Sequence, residues 1–263
     1  MSKSILTIEK VIKERGSREI IYVGVDGTGV PMRDGGTKEA KVGVIFKESD
    51  IWTTSKKRNE IVEKSYISTL GDVEQFMPLL FNEYEKLDVK KEFTVVCLGD
   101  GAKWIWKRYA DIFPERIEIL DFYHVSEYIW DIGREHFTSE TEKELWVNKQ
   151  LDDLKASKIS FVIEELEFLS KITDKPKTKE SLENTIKYIK NNESRMDYKN
   201  YISAGLMIGS GVVESSNRVV VTKRLKQGGM HWSKKGAEAI ITLRALYTSQ
   251  NTKWNDYWNK KVS

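Results

Sequence analysis

The chain has 263 residues, of which 40% are hydrophobic and 32% are charged, with a formal net charge of +3 at pH 7. This composition supplies a core and excludes wholesale disorder, and the length suits one large domain or one domain with a big insertion. The charge is uneven, because residues 207–263 carry ten Lys and Arg against three Asp and Glu, which favours a polyanionic partner for this segment.

Cysteine content and hydropathy indicate the cellular compartment in which the protein is expected. The single cysteine, Cys97, excludes an internal disulfide. No apolar run approaches the ~20 residues of a membrane-spanning helix, and the first residues lack the apolar core of a secretory signal. We therefore expect a cytoplasmic protein with no membrane partner.

The first half of the chain has the pattern of a mixed α/β fold. After a polar segment, the pattern predicts strands over 20–30 and 40–46, joined by a turn at 34–37, and a third strand near 65. Apolar residues at helical spacing follow over 71–87. A strand over 93–100, a helix and a strand over 116–121 complete this half, so the sheet should contain antiparallel and parallel strands.

The second half of the chain is predominantly helical. Residues 125–199 read as three or four helices with breaks near 138, 156 and 173, and helices over 209–225 and 233–248 follow, the latter with Ser233 as N-cap. We divide the chain into a connector (1–19), the first part of an α/β core (20–124), a helical insertion (125–199) and the C-terminal helices of the core (200–263).

Three acids are candidates for a metal site. Asp26 and Asp100 each lie in or after an apolar strand, and Glu214 lies at the start of a helix. Mg²⁺ prefers oxygen ligands and needs only a few carboxylates, and Mn²⁺ is the natural substitute. In two-metal phosphoryl transfer Asp26 would bridge both ions, while Asp100 and Glu214 would each complete one.

Two of these acids also have an ordinary structural alternative. Asp100 precedes a helix and is a candidate N-cap. Glu214 could face solvent or form an ion pair with Arg218, one helical turn away. The glycine-rich run 24–29 leads into a second strand, so it does not fit a dinucleotide-binding loop, which opens a helix.

Several longer motifs carry a resemblance to a known family. They resemble the catalytic part of Kra-type insertion-sequence transposases, and the similarity runs from about residue 20 to residue 258. The motifs are VDGTGVP (25–31), LGDGAKWIW (98–106), ILDFYHVSE (119–127), GSGVVES (209–215), RLKQGGMHWS (224–233) and GAEAIITLRAL (236–246).

The resemblance implies a fold and a chemistry. The fold is ribonuclease-H-like, a mixed sheet flanked by helices with an all-helical insertion before the last catalytic helix. The activity is that of a DDE transposase, a metal-dependent polynucleotidyl transferase that cleaves and joins DNA, with Asp26, Asp100 and Glu214 as its metal ligands. Asp121 and His124 are similar to the D-x-x-H element of Mutator-like relatives, which places His124 near the scissile phosphate; packing or capping at the strand-to-helix junction is its alternative.

DNA is the expected partner of the basic C-terminal segment. His231 and Trp232 are candidates for stacking on a splayed base, with core packing as the alternative for Trp232. The basic side chains of the segment are candidates for phosphate contacts. The predicted DNA-binding residues are Arg218, Lys223, Arg224, Lys226, His231, Trp232, Lys234 and Lys235.

The sequence also departs from the family pattern. Glu214 is followed by Ser-Ser-Asn-Arg, where a small continuation containing Cys or Ala is expected. Full transposases of this type carry an N-terminal region that recognises element ends, so an upstream region or polypeptide, and a homo-oligomer on DNA, are further expected partners. Two other functions stay open: a non-transposing DNA-binding remnant, and a ribonuclease-H-like nuclease such as a junction resolvase.

Overall fold

The computed structural model describes residues 18–53, 59–87, 93–209, 211–249 and 253–262. The chain divides into two compact units. The first, which we call the sheet unit, contains residues 1–99, 104–117 and 211–263; the second, the helical unit, contains residues 100–103 and 118–210. Within the described ranges, none of the helices combines the length and the apolar character that crossing a bilayer requires.

A five-stranded mixed sheet organises the fold. In the order in which they lie side by side, its strands are β5 (Ser65–Thr69), β2 (Thr37–Lys47), β1 (Glu19–Pro31), β6 (Phe93–Gly99) and β7 (Arg116–Leu120). β1 is antiparallel to β2, β2 is antiparallel to β5, and β1 is parallel to β6. The mixed α/β class predicted from the sequence is thereby confirmed. A separate hairpin, absent from the sequence prediction, pairs β3 (Ile51–Thr53) with β4 (Asn59–Ile61).

Several helices of the sheet unit pack on these strands. Tyr109 is fully buried, and its hydroxyl donates to the carbonyls of Val23 on β1 and Leu98 on β6, at 3.2 and 3.0 Å. The helices are α1 (Val73–Leu87), α2 (Lys103–Ile112), α8 (Gly211–Asn217), α9 (Lys223–Leu225), α10 (Lys234–Thr248) and α11 (Lys253–Val262). A π-helical turn, Arg218–Thr222, connects α8 to α9, so the predicted helix over 209–225 is not a continuous α-helix.

The outer edge of the sheet is covered by α10. The Tyr66 amide on β5 donates to the Ser249 hydroxyl at 2.8 Å, and the Leu70 amide donates to the Glu238 carboxylate at 2.6 Å. These bonds satisfy backbone groups that an edge strand would otherwise leave unpaired. The predicted N-cap of α10 is confirmed, because the Ser233 hydroxyl accepts from the Gly236 amide.

The helical unit contains a run of consecutive helices. They are α3 (Phe122–His136), α4 (Glu140–Lys155), α5 (Ile159–Ile172), α6 (Pro176–Asn192) and α7 (Tyr198–Ser203). The predicted breaks near 138, 156 and 173 coincide with helix ends, where Ser139 caps α4 and Pro176 opens α6. The first helix begins at Phe122, three residues earlier than predicted, because Asp121 accepts the amide of Tyr123 as its N-cap.

Candidate acidic site and the basic face beside it

Asp26 lies in the middle of β1, with both carboxylate oxygens engaged. Its Oδ1 accepts the amide of Gly27 at 2.6 Å, and its Oδ2 accepts the side-chain amide of Asn217, the last residue of α8. The second bond joins residues 191 positions apart. It therefore fixes Asp26 against the helix that carries Glu214.

A glycine permits the close approach of this helix to the strand. A Cβ built on Gly24 would lie 2.0 Å from Cγ2 of Val213, which is buried. Glu214 follows Val213 on α8 and lies one turn before Asn217, so its backbone is held between two contacts with β1. Its side chain lies outside the described part of the structure.

Asn217 is a site residue that sequence reasoning missed. It is 9% exposed, and its Oδ1 has no hydrogen-bond partner among the described residues. A buried acceptor left without a partner costs about 1–3 kcal/mol. The available signal was its spacing, because residues three apart on a helix are neighbours, and Asn217 stands three residues after Glu214.

The π turn after Asn217 has its own anchor. Nε of Arg244 on α10 donates to the carbonyls of Val219 and Val220 at 3.1 and 3.0 Å, and a terminal nitrogen of the same guanidinium also donates to Val219. Short π segments leave carbonyls outside the usual helical pattern and occur often at functional sites. Arg244 therefore holds the backbone that follows α8.

A basic side chain lies on the same face of β1 as Asp26. Side chains alternate along a strand, so Asp26 and Thr28 point to the same face. The Nζ of Lys226, one of the predicted phosphate contacts, donates to the Thr28 hydroxyl. The structure thus places one predicted DNA-binding cation about 7 Å along the strand from the position of Asp26.

Further basic residues lie between this part of β1 and the β1–β2 turn, and together with Lys226 we call them the basic face. Lys38 pairs with Val30, two residues beyond Thr28, and so shares its face. The neighbouring ammonium of Lys234 lowers the pKa of Lys38 below its ordinary value, with smaller contributions from desolvation. Arg33 lies at the turn, where its amide donates to the Trp232 carbonyl. Lys38 and Arg33 were not among the sequence candidates.

Trp232 is held by the fold. Its amide donates to the Pro31 carbonyl at 3.1 Å, and its indole nitrogen donates to the Leu225 carbonyl at 3.2 Å. The side chain is half-buried, which favours the packing alternative for this residue. The remaining candidates, Arg218, Lys223, Arg224, His231, Lys234 and Lys235, are exposed.

Asp100 belongs to the helical unit. Its Oδ1 accepts the amide of Ala102 at 2.9 Å, and its carbonyl accepts the hydroxyl of Tyr188 on α6 at 2.7 Å. Gly101 has φ +94°, and a Cβ there would lie 2.7 Å from the Tyr188 ring. The turn after β6 therefore requires glycine at 101 both for its backbone conformation and for this contact.

His124 lies in an aromatic cluster of the same unit. Its ring packs edge to face on Tyr128 and Tyr188, with centroids 5.3 and 6.2 Å apart, and its Nδ1 is 3.7 Å from the Glu127 carboxylate. Asp121 is the N-cap of this helix, so His124 does not cap it, and the ring takes part in the aromatic packing. Its side chain is 36% exposed, which leaves the ring accessible.

The tyrosine shared by Asp100 and His124 stays protonated. Burial raises the pKa of Tyr188 above its ordinary value, and the nearby Tyr128 hydroxyl and the carboxylates of Asp100 and Asp121 raise it further. Tyr188 therefore remains a hydrogen-bond donor to the Asp100 carbonyl across the physiological pH range.

The oxygen donors at Asp26 suit a hard cation. An Asp carboxylate and an Asn amide oxygen are both groups that Mg²⁺ and Ca²⁺ accept as ligands. Among the side chains that the structure describes, no three His, Cys, Asp or Glu residues come together as a metal-binding group. Glu214 is outside that set, and Asp26 and Asp100 lie in different units, so the metal triad stays a prediction.

Comparison with known proteins gives the family. The chain belongs to the uncharacterised protein family UPF0236, whose model matches residues 3–262. Relatives in Caldanaerobacter subterraneus subsp. tengcongensis, each named as a UPF0236 protein, are 24% identical over 259 residues, which is 97% of this chain. The chain spans about half the length of these relatives, 52%, 49% and 52% respectively. Their names combine four, two and eleven gene designations, respectively.

Proposed function

We propose that this UPF0236 chain is the catalytic part of a DDE transposase with a ribonuclease-H-like fold, acting on DNA by Mg²⁺-dependent cleavage and strand transfer. The observation that carries the proposal is the docking of α8 on β1. It brings the backbone of Glu214 to the strand of Asp26 through Val213 and Asn217, as a shared metal site for these two acids requires.

The candidate site residues have different proposed roles. Asp26, Asp100 and Glu214 would hold the metal ions, which when bound activate the attacking oxygen and stabilise the leaving oxygen. Asp26 is already oriented by two donors, so little reorganisation is needed for it to act as a ligand. His124 is accessible enough to donate a proton or a hydrogen bond to a phosphate oxygen.

The substrate class follows from charge. Three lysines lie along the Asp26 face of β1 and β2 or beside it: Lys226, Lys38 and Lys234. The ammonium group of Lys234 is close enough to that of Lys38 to lower the pKa of Lys38. Such a series of cations favours a polyanionic backbone over a small neutral substrate. Phosphate contacts of this kind position DNA without reading its sequence.

The relatives add support of another kind. A name that combines eleven gene designations from one organism fits a gene present in many copies, which is what a mobile element produces. Because the relatives are about twice as long, recognition of element ends by another region or polypeptide is part of the same proposal, as is assembly of several copies on DNA.

The test is divalent-metal-dependent chemistry on DNA. The purified chain should nick supercoiled plasmid with Mg²⁺ or Mn²⁺, and Asp26→Asn or Asp100→Asn should reduce nicking by about 100-fold or more, since loss of a ligand exceeds the 10–100-fold effect of losing a ligand's own hydrogen-bond partner. Asp34→Asn, a change of the same kind in the exposed β1–β2 turn, is the matched control.

Joining of DNA ends separates the remaining alternatives. Transfer of an oligonucleotide 3′-hydroxyl end into plasmid, lost in the same variants, supports a transposase. Nicking without joining indicates a ribonuclease-H-like nuclease. DNA binding with no metal-dependent nicking in the wild-type chain indicates a non-transposing remnant and contradicts the proposal.

A further inference from the structure

The side chain of Asn217 has an arrangement that helix docking alone does not explain. Asn217 is more than nine-tenths buried, yet only one end of its amide is used: Nδ2 donates to Asp26 Oδ2, and Oδ1 has no partner among the described residues. Val213, one turn earlier, already packs α8 closely against β1. An apolar residue at position 217 would leave no buried acceptor without a partner, so helix packing alone does not account for an amide side chain at this position.

The carboxylate of Asp26 explains why an amide side chain is present at this position. Gly27 donates to Oδ1 and Asn217 donates to Oδ2, so the two oxygens are held by one backbone and one side-chain donor. Carboxylates that bind metal ions are commonly held by such hydrogen bonds, which fix the orientation of the ligand before the ion arrives. A cation bound at Asp26 also offers a partner to the unused amide oxygen, because amide oxygens bind hard cations directly or through their water molecules.

We infer that Asn217 is a positioning residue for a divalent cation at Asp26, with its Nδ2 orienting the carboxylate and its Oδ1 turned to the cation or the cation's water. The inference rests on the proposed function, since it adds a fourth residue to the site proposed for Asp26, Asp100 and Glu214. The ligand is a hard divalent cation, Mg²⁺ or Mn²⁺.

The test measures metal binding without any catalysis. The wild-type chain is titrated with Mn²⁺, free ion is followed by electron paramagnetic resonance, and the shift of the thermal midpoint is recorded with Mg²⁺ and with EDTA. Asn217→Ala should weaken Mn²⁺ binding by about 10–100-fold, the effect expected when a ligand loses the partner that orients it. The Mg²⁺-dependent shift of the midpoint should shrink accordingly.

A second variant distinguishes positioning from simple packing. Asn217→Asp keeps the shape but replaces the donor with a carboxylate, so the two carboxylates repel each other in EDTA and share a cation when one is present. Its midpoint should fall in EDTA, and its Mg²⁺-dependent shift should exceed that of wild type. A merely structural Asn217 would lower the midpoint in both variants without changing the response to metal.

Two controls keep the outcomes separate. Ser249→Ala removes a buried bond between β5 and the residue that caps the end of α10. Neither element carries a candidate ligand, so the variant should lower the midpoint while leaving metal binding unchanged. Asp26→Asn tests the site itself. Loss of binding in Asp26→Asn with unchanged binding in Asn217→Ala overturns the role of Asn217 alone. Unchanged binding in Asp26→Asn overturns both this inference and the proposed cation site.

Discussion

The sheet unit and the helical unit differ in charge and in how they hold their acids. The helical unit carries fourteen Lys and Arg against nineteen Asp and Glu, a net charge of −5, which leaves +8 for the sheet unit in a chain of net charge +3. Asp26 in the sheet unit is held by a residue 191 positions away, whereas Asp100 and Asp121 in the helical unit each accept an amide two residues ahead.

This difference separates two ways of building a site. Local hydrogen bonds form as soon as the turn forms, so Asp100 and Asp121 depend little on the rest of the molecule. Asp26 also accepts the amide of Gly27, but its bond from Asn217 exists only after α8 docks on β1. The positive charge also lies in the sheet unit, so the affinity for a polyanion should be concentrated there. Each contrast can be tested by substitution.

The largest effect is expected where α8 meets β1. Gly24→Leu should lower the free energy of unfolding by about 3 kcal/mol or more, because even a Cβ at this position overlaps Val213 and a larger side chain must displace the helix. Urea unfolding measures the loss. Nicking activity should disappear in the variant under conditions where it is still folded, since Glu214 moves with α8.

Three companion variants, two of them also in combination, isolate the contact. Gly29→Ala on the same strand is the control, since its added Cβ would meet nothing nearer than 3.4 Å and should leave stability almost unchanged. Gly24→Ala and Val213→Ala should be strongly non-additive when combined, because the second substitution removes the atom with which the first collides. Additive losses would mean that Gly24 is not where the helix is docked.

The next effect concerns the π turn of the sheet unit. Arg244→Ala should cost about 2 kcal/mol, the range for hydrogen bonds that involve a charged group, because it leaves the carbonyls of Val219 and Val220 without their donor. Arg244→Lys should recover only part of the loss, since an ammonium lacks the planar fork of a guanidinium. Equal stability of Arg244→Ala and the exposed control Lys235→Ala would contradict this role.

These cases show what the sequence could predict. The strands of the five-stranded sheet, the helix breaks and the Ser233 cap follow from periodicity and capping residues that act within a few positions, whereas the hairpin of β3 and β4 was not predicted. The asparagine at 217 was visible three residues after Glu214, but its bond to Asp26 depends on how α8 docks, which no local pattern encodes. The π turn was equally invisible, and it rotates Lys223 to Lys226 by about 100° from the face that α-helical spacing assigns to them.

A smaller effect is expected in the helical unit. Tyr188→Phe should cost about 1 kcal/mol at neutral pH, because it removes one neutral hydrogen bond to the Asp100 carbonyl. Burial raises the pKa of Tyr188 above its ordinary value of 10.0, so the folded state keeps the proton that the unfolded state loses. The stability contributed by this group is therefore fully present below pH 10 and is lost as the pH rises beyond it.

The pH dependence provides the measurement. Urea unfolding of wild type and Tyr188→Phe from about pH 8 to about pH 11 should show wild type losing stability faster, so that its advantage shrinks and then reverses. Tyr123→Phe, which alters an exposed side chain of the same unit, should match wild type at neutral pH within about 0.5 kcal/mol. Parallel pH profiles for wild type and Tyr188→Phe would show that the Tyr188 hydroxyl is not held as described.

The smallest effect tests the charge contrast between the units. Lys226→Ala and Lys38→Ala should each weaken binding to any DNA duplex a few-fold, and each should flatten the plot of log affinity against log salt by about 0.9, the slope expected for one phosphate contact. Fluorescence anisotropy with two unrelated duplexes over a series of salt concentrations measures both quantities. The losses should be the same for the two duplexes, because contacts to phosphate carry no sequence information.

Lys199→Ala removes the same charge from an exposed position of the helical unit and should leave the slope unchanged. If Lys199→Ala flattens the slope as much as the other two variants, DNA affinity depends on the total charge of the chain. The DNA would then not bind along the basic face of β1 and β2. If one duplex alone loses affinity, the lysines contribute to base recognition, and the sheet unit has a part in sequence selection as well as in holding the backbone.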